Sequence, residues 1–266
     1  MFETATVQNL VSRLGRMAIS AVLEVGRVAF FFFEGFARIF NLPLPVTKTL
    51  QQIYFIGMKS IFVICLTGSF TGMVLGLQGY YVLVKYGSTG ALGSAVALSL
   101  VREMGPVMTA IMVIARAGSA MAAEIGIMRI SEQIDALETM DINPIRFLVS
   151  PRIAAGLISF PLLTAFFDVV GILGGYLTGS LLLGLNSALY FSRVESSVVM
   201  ADVTGGFIKS IVFAVVVITI CCYQGYYTHI RAEFGAKGVS LSTTTAVVVS
   251  CVLILVTDYV LTSFLL

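Results

Sequence analysis

The sequence predicts an all-α integral membrane protein, and three observations support this fold class. Of the 266 residues, 58% are hydrophobic and only 11% are charged, whereas soluble domains carry about 25% charged residues. A surface that faces water cannot be covered by so few charged residues. Much of the surface of this protein must therefore face lipid. The apolar residues are also gathered into five runs, each long enough for the roughly 20 residues that cross a bilayer as a helix. These runs do not alternate between polar and apolar residues, as the strands of a membrane barrel do.

The five predicted spans divide the chain into two parts. The spans cover residues 53–77 (with an extension to 84 left open), 94–123, 153–183, 203–226 and 240–266. Residues 1–50 are an N-terminal segment, and residues 51–266 are the transmembrane domain. Charged residues are scattered through the first 27 positions, without the ordered basic, apolar and small-residue regions of a cleaved signal. We therefore expect the chain to be inserted whole.

The N-terminal segment differs from the five spans in its charge. Phe30 to Phe33 form an aromatic cluster, but Arg27, Glu34 and Arg38 flank it closely. The uncharged run is too short to cross a membrane comfortably, and the prolines of residues 41–45 then break any helix. These features predict an interfacial helix, or elbow, that lies in the plane of the membrane. A short sixth membrane helix remains the alternative.

Lysine and arginine placement predicts the orientation, because short cytoplasmic connections carry an excess of both residues. With five spans, ten of these residues fall on the side of the N-terminus: Arg13, Arg16, Arg27, Arg38, Lys48, Arg129, Arg146, Arg152, Arg231 and Lys237. The opposite connections carry only Lys85 and Arg193. We therefore expect the N-terminus in the cytoplasm and the C-terminus outside it.

The polar residues do not form a recognisable metal site or catalytic motif. Four cysteines lie inside apolar runs without metal-ligand spacing, as small buried hydrophobic residues do: Cys65, Cys221, Cys222 and Cys251. His229 is the only histidine, which excludes a multi-histidine metal site. No Gly-Lys dipeptide is present, so the Walker A loop is absent, and so are the nucleophile elbow and the HExxH motif. If a nucleotide drives this protein, another subunit binds it. The net charge of +2 gives nucleic acid no electrostatic support.

Glycine recurs every four residues in two of the predicted spans. Gly68, Gly72 and Gly76 share one face of the first span, and residues 171, 175 and 179 repeat the pattern in the third. Small residues at this spacing let two helix backbones approach closely. The pattern indicates either packing within the chain or an interface between protomers.

Four charged residues lie inside predicted spans at similar depths. Arg102 and Glu103 of the second span, Lys209 of the fourth and Asp258 of the fifth lie roughly 9–13 Å below the outer boundary at 1.5 Å per residue. Asp168 lies nearer the middle of the third span. Charges inside a membrane are costly, so this set is either a group of ion pairs that braces the bundle or the polar rim of an outward-facing cavity.

Residues 124–152 form the longest connection expected in the cytoplasm. Acidic residues lie at its centre: Glu132, Asp135, Glu138 and Asp141. Isoleucine or leucine recurs every three or four residues, as in an amphipathic helix: Ile127, Ile130, Ile134 and Leu137. The pattern predicts a helix over about 129–142, ended by Asn143-Pro144, with Pro151 at the start of the third span. This helix either lies on the membrane or docks into a cytoplasmic partner.

Several of these segments together resemble one family. They are LVREMGPVMTA at 100–110, ARAGSAMAAEIG at 115–126, EQIDALETM at 132–140, and the stretch between Pro144 and Arg152. Their order and spacing resemble the MlaE/YrbE family of ABC-transporter permeases across most of the chain. The chain departs slightly from the family at ARAG, where versions containing Ala-Gly-Arg are common.

The resemblance implies partners and a cargo. Permeases of this family are homodimers that associate with cytoplasmic ATPase subunits, which bind ATP and Mg²⁺, and often with a small STAS-domain protein. A hexameric MCE-domain protein lies on the periplasmic side. Such assemblies move phospholipid between the inner and outer membranes of Gram-negative bacteria. The resemblance therefore implies a non-catalytic inner-membrane subunit that carries no cofactor of its own.

The resemblance also implies roles for individual residues. The amphipathic segment matches the coupling helix that contacts the ATPase, with seven candidate coupling residues: Glu132, Gln133, Asp135, Ala136, Leu137, Glu138 and Met140. Two copies are expected to enclose a lipid cavity that opens toward the periplasm. Seven residues are candidates for binding the lipid, the charged ones near its headgroup and the others along its acyl chains: Arg102, Glu103, Lys209, Asp258, Leu75, Leu77 and Tyr81.

Two other classes of protein remain as alternatives. A proton-coupled secondary transporter of amphipathic substrates would use the carboxylates of Glu103, Asp168 and Asp258. Such transporters contain internal repeats, and the sequence contains none that we recognise. A membrane enzyme acting on lipids would need a catalytic constellation, which the lone His229 and the scattered carboxylates do not supply.

Overall fold

The computed structural model describes residues 2–37, 46–228 and 235–265, and these residues form helices and short connections without a strand. Five helical segments are long and apolar enough to cross a membrane: Val46–Lys85, Thr89–Ile130, Pro144–Leu182, Met200–Tyr226 and Ala236–Leu265. The all-α membrane fold and the five spans are therefore confirmed. The proline-rich turn at 41–45 and His229 lie outside the described residues.

The N-terminal helix α1 (Phe2–Ala37) is the longest uninterrupted α-helix in the described part of the chain. Near its end, Phe31 is buried and its ring lies 5.7 Å from that of Tyr223 in the fourth span. Ser150 Oγ of the third span donates a hydrogen bond to the Gly35 carbonyl at 2.9 Å. On the opposite side Phe30 is exposed. One face of α1 thus packs on the bundle, and its position in the plane of the membrane stays a prediction.

The first span is interrupted where it meets the second. Helix α2 (Val46–Ile56) ends before a 3₁₀ turn at Met58–Ser60, and α3 (Ile61–Lys85) continues the span. Arg116 of the second span donates hydrogen bonds to the Phe55 carbonyl and, at 2.9 Å, to Ser60 Oγ. The guanidinium group therefore satisfies a carbonyl that the interrupted helix leaves free.

The second span contains two π-helical turns. Helices α4 (Leu92–Ser99), α5 (Gly105–Val113) and α6 (Ser119–Ile130) are joined by π turns at Leu100–Met104 and Ile114–Gly118. The Gly105 amide donates to the Leu100 carbonyl, five residues back. Such turns often occur at functional sites. Here they hold Arg102, Glu103 and Arg116, all of the charged residues in the middle of this span.

The remaining elements complete the bundle. They are α7 (Gln133–Thr139), α8 (Pro144–Tyr176) with a π turn at Leu177–Leu182, α9 (Ser187–Ser197), α10 (Met200–Tyr226) and α11 (Ala236–Leu265). Asn143 caps α8 by accepting a hydrogen bond from the Arg146 amide at 3.0 Å. The third span therefore begins at Pro144, not at 153, and Pro151 lies inside the helix, not at its start.

The two glycine rows pack largely against each other within the chain. A methyl group at Gly68 or Gly76 would lie 3.0 Å from the carbonyl oxygen of Phe167 or Gly175, and one at Gly72 would overlap the backbone of Gly171. The first and third spans therefore touch backbone to backbone along this seam, as small residues allow. The interpretation as packing within the chain is confirmed, although Gly179 lies against Leu92 of the second span instead.

Candidate transport site and coupling segment

Lys209 lies at the centre of a charged cluster that joins three spans. Its Nζ donates to Glu103 Oε2 at 2.6 Å and to Thr262 Oγ1 at 2.7 Å. Asp258 Oδ1 lies 3.1 Å away as an ion-pair contact. The Lys209 side chain is only 3% exposed, whereas that of Glu103 is 39% exposed. A buried ammonium group is stable only when it is paired in this way.

The backbone of the second span supplies a further acceptor to Lys209. In a regular α-helix the amide of residue 106 would donate to the carbonyl of Arg102, but Pro106 has no amide hydrogen. Lys209 Nζ donates to this carbonyl at 3.0 Å instead. The π turn and the proline together thus form part of the site that holds the Lys209 ammonium.

Arg102 points to a different partner from its neighbour Glu103. Its Nε donates to Asp202 Oδ1 at 2.7 Å, and 43% of the Arg102 side chain remains exposed. Asp202 also accepts from the Val199 amide at 3.2 Å. Sequence reasoning missed Asp202 and Thr262. Asp202 precedes Lys209 by seven residues, or two helical turns, so spacing alone places both on one face of α10.

The cluster surrounds a cavity that, in a single copy of the chain, is too small to hold a lipid. Its volume is about 50 Å³, which is room for one or two water molecules at about 30 Å³ each. It is lined by the exposed parts of Arg102 and Glu103, by Lys209, and by small residues of the fourth span. In chemical terms, the cavity offers an exposed guanidinium beside carboxylates that are already paired.

The three apolar candidates do not reach this cavity. Leu77 and Tyr81 are exposed, whereas Leu75 is partly buried against the core. The exposed pair belongs to an apolar stripe along the first span, on the side away from the glycine seam. The stripe consists of Phe62, Leu66, Phe70, Val74, Leu77 and Tyr81. The structure therefore brings Glu103, Lys209 and Asp258 together but separates the apolar residues from them.

The coupling segment, defined as residues 129–142, contains a shorter helix than the sequence predicted. Helix α6 continues to Ile130, Glu132 then adopts a left-handed conformation with φ 57°, and α7 covers only residues 133–139. Asp141, with φ 58°, forms a second left-handed break. Ile127 and Ile130 therefore belong to the end of the second span. These two breaks set α7 apart as a short separate helix.

Helix α7 presents most of the candidate coupling residues to solvent. Six are exposed: Glu132, Gln133, Asp135, Ala136, Glu138 and Met140. Leu137 is partly buried, and Ile134 is fully buried. The helix therefore rests on the bundle through Ile134 and leaves a mixed acidic and apolar face open.

Polar contacts fix this short helix to the second and fourth spans. Arg129 at the end of the second span donates to Asp135 at 2.8 Å. Tyr226 at the end of the fourth donates to Glu138 at 3.3 Å. Nearby, Arg152 of the third span pairs with Glu124 of the second at 2.8 Å. A force on α7 would therefore be transmitted to several spans.

Comparison with known proteins identifies the family. A model of the family described as "Permease MlaE" matches residues 49–264. The chain belongs to the MlaE permease family. MlaE permeases form the membrane part of ABC transporters, so this chain is an ABC permease and a multi-pass membrane protein, and its function involves ATPase partners. The family model covers all five spans and the coupling segment.

Named relatives cover nearly the whole chain. A probable ABC transporter permease protein of Rickettsia typhi is 38% identical over 97% of this chain and 98% of its own length. The intermembrane phospholipid transport system permease protein MlaE of Haemophilus influenzae is 39% identical over 97% and 98%. A probable ABC transporter permease protein of Synechocystis is 39% identical over 88% of both chains. The similarity therefore includes the charged cluster and α7.

Proposed function

We propose that this chain is the permease subunit of a transporter that moves phospholipid between the inner and outer membranes of a bacterium. The observation that carries the proposal is the pairing of two features at opposite ends of the spans. A buried charged cluster around Lys209 lies toward one end, and the exposed helix α7 lies at the other. The Haemophilus relative, whose name specifies intermembrane phospholipid transport, supports the same cargo here.

The cluster is suited to the headgroup of an anionic or zwitterionic phospholipid. Arg102 keeps 43% of its side chain exposed and can offer further donors to a phosphate. Lys209 stays buried and braces Glu103 and Asp258. The apolar stripe that ends in Leu77 and Tyr81 would accept acyl chains. The cavity at the cluster has a volume of only about 50 Å³ in one copy, and in this proposal a second copy of the chain completes the space for the lipid.

The energy for transport would come from separate subunits. In this proposal two cytoplasmic ATPase subunits bind ATP and Mg²⁺ and dock on α7 through its exposed face. A small STAS-domain protein would accompany them, and a periplasmic MCE-domain hexamer would pass the lipid onward. Closure of the ATPase pair would push α7, and the contacts of Asp135 and Glu138 would carry the movement into the spans. Such coupling needs two global states of the bundle.

Docking on α7 is tested by reversing its charge. The complex purified with Glu132→Arg and Asp135→Arg is expected to lose the ATPase subunits or to hydrolyse ATP without transferring fluorescent phospholipid between liposomes. Arg193→Glu, a charge reversal at an exposed site on the opposite side, is the control and should keep both activities. Full assembly and transfer in the double variant would show that the ATPase docks elsewhere.

The same assay separates this function from proton-coupled transport. Transfer of phospholipid should require ATP and the ATPase subunits, and a proton gradient should not replace them. Transfer that persists in liposomes containing only this chain and a proton gradient would favour the secondary transporter.

A further inference from the structure

A second, larger cavity lies apart from the charged cluster. Its volume is about 410 Å³, within the roughly 300–1,000 Å³ of small-molecule sites. Parts of the second, third and fourth spans and helix α9 surround it. Most of its wall is apolar, formed by Val101, Ile172, Val194, Val198, Val203 and Phe207. Gly206 lines both cavities and packs on the Val101 carbonyl, so the backbone there separates them.

Two polar residues of this lining carry buried side-chain atoms that have no hydrogen-bond partner in the described part of the chain. Thr164 is 3% exposed, and its buried hydroxyl has no hydrogen-bond partner among the described residues. Asp168, one turn further along α8, has a buried carboxylate oxygen that also lacks a partner there. A methyl group at Gly105 would collide with this oxygen. Glu195 of α9, an exposed residue, contributes a second carboxylate to the lining.

The charge of this site selects its ligand. No lysine or arginine of the described ranges forms a salt bridge with Asp168 or Glu195. A buried carboxylate without a partner is costly, and two acidic side chains repel an anion. Calcium needs about six to eight oxygen ligands, whereas the lining offers side-chain oxygens only from Thr164, Asp168 and Glu195. An ammonium group on an apolar chain fits both features, because its charge pairs with the carboxylates and its chain packs against the apolar walls.

We propose that this cavity binds a primary ammonium group carried on a short apolar chain. The nitrogen pairs with the Asp168 carboxylate, and the chain lies along the aliphatic wall toward Glu195. The site is distinct from the one that holds the transported lipid and does not depend on that function. The ammonium can belong to a lipid headgroup or to a soluble amine, and the chemistry of recognition is the same.

Calorimetry with two matched probes tests the proposal. The full chain, purified in a neutral maltoside detergent, is titrated with hexylammonium and with hexan-1-ol, which share a chain and differ in charge. The wild type is expected to bind hexylammonium about ten-fold more tightly than the alcohol. Asp168→Asn should remove that preference, whereas the control Asp141→Asn, on the exposed coupling segment, should keep it. Equal affinity for both probes in the wild type would overturn the proposal, as would an unchanged preference in Asp168→Asn.

Two further variants decide the matter if Asp168→Asn does not fold. Glu195→Gln changes only an exposed side chain and should weaken hexylammonium binding several-fold without affecting the alcohol. Ala165→Leu fills the cavity from α8 and should weaken both probes. Unchanged affinities in these two variants would place the ligand elsewhere and overturn the proposal. If phosphatidylethanolamine competes with hexylammonium and phosphatidylglycerol does not, the ammonium belongs to a lipid. If neither lipid competes, the ammonium belongs to a soluble amine.

Discussion

Lys209 is the residue on which the charged cluster depends, because one ammonium group contacts acceptors on two other spans. Replacing it in Lys209→Met leaves Glu103 and Asp258 facing each other without a cation. We expect the free energy of unfolding to fall by about 2 kcal/mol, less than the roughly 3–5 kcal/mol of fully buried pairs, since water reaches Glu103. Thermal unfolding of the purified chain in detergent measures this loss.

A double variant tests whether the lost stability comes from the contact between Lys209 and Glu103 or from the substitution at position 209 alone. Adding Glu103→Gln to Lys209→Met removes one of the two unpaired carboxylates. Part of the lost stability should therefore return, which a double-mutant cycle detects as coupling between the two positions. Strictly additive losses would mean that the contact between Lys209 and Glu103 contributes nothing to the fold.

Arg102 should behave differently from Lys209, because it is half-exposed and its partner has another donor. In Arg102→Ala, Asp202 keeps the Val199 amide, so stability should change by no more than about 1 kcal/mol. If Arg102 binds a phosphate, the variant loses about 1.5–3 kcal/mol of headgroup binding, roughly a ten- to hundred-fold loss in lipid affinity. Arg193→Ala, at an exposed arginine on the same side, is the control for the lipid-transfer assay. Equal transfer by both variants would remove Arg102 from the headgroup site.

At the residue scale, the sequence predicted which charges lie inside the membrane but not how they are partnered. Depth counting placed Glu103, Lys209 and Asp258 at one level, and the structure joins them. Asp202 was missed because it stands at the very edge of the predicted fourth span, where a carboxylate is unremarkable. The carbonyl that Pro106 leaves free could not be foreseen either, because the π turn beside it has no clear sequence signal.

At the scale of elements, the glycine seam makes the firmest prediction. In Gly72→Ala the new methyl group meets the backbone of Gly171, which cannot move aside as a flexible side chain would. The first and third spans must separate, and overpacking of this kind costs about 1–3 kcal/mol. Gly26→Ala is the matched control, because nothing lies within 4 Å of the position its methyl group takes. We expect a lower unfolding temperature for Gly72→Ala alone. Similar temperatures for the two variants would mean that the spans do not pack this closely.

The coupling segment shows what apolar periodicity cannot predict at the scale of elements, namely a break within a helix. The apolar spacing from Ile127 to Leu137 is continuous, so it predicted one helix over about 129–142. The left-handed backbone at Glu132 divides that helix, yet a non-glycine residue with positive φ is uncommon and has no pattern of its own. The existence of the five spans was easier to predict than their boundaries, because bilayer thickness sets a minimum length for each apolar run but does not say where the helix ends.

For the whole molecule, five spans place the two ends of the bundle on opposite sides of the membrane. The coupling segment between the second and third spans is then on one side, and α9 between the third and fourth is on the other. The excess of lysine and arginine beside the coupling segment predicts that this side is cytoplasmic. An ATPase needs ATP, which is available on the cytoplasmic side. The proposed docking therefore depends on the same charge asymmetry that predicts the orientation.

Cysteine labelling tests this orientation with two substitutions of exposed hydroxyl-bearing residues. Thr139→Cys lies on α7 and Ser196→Cys on α9, both at exposed positions, in a chain whose four native cysteines are replaced by alanine. A membrane-impermeant maleimide should label Ser196→Cys in intact cells and Thr139→Cys only after the inner membrane is opened. The reverse result would put α7 outside the cytoplasm, where no ATPase could dock on it. Labelling of both positions in intact cells would mean that one of the five apolar helices does not cross the membrane.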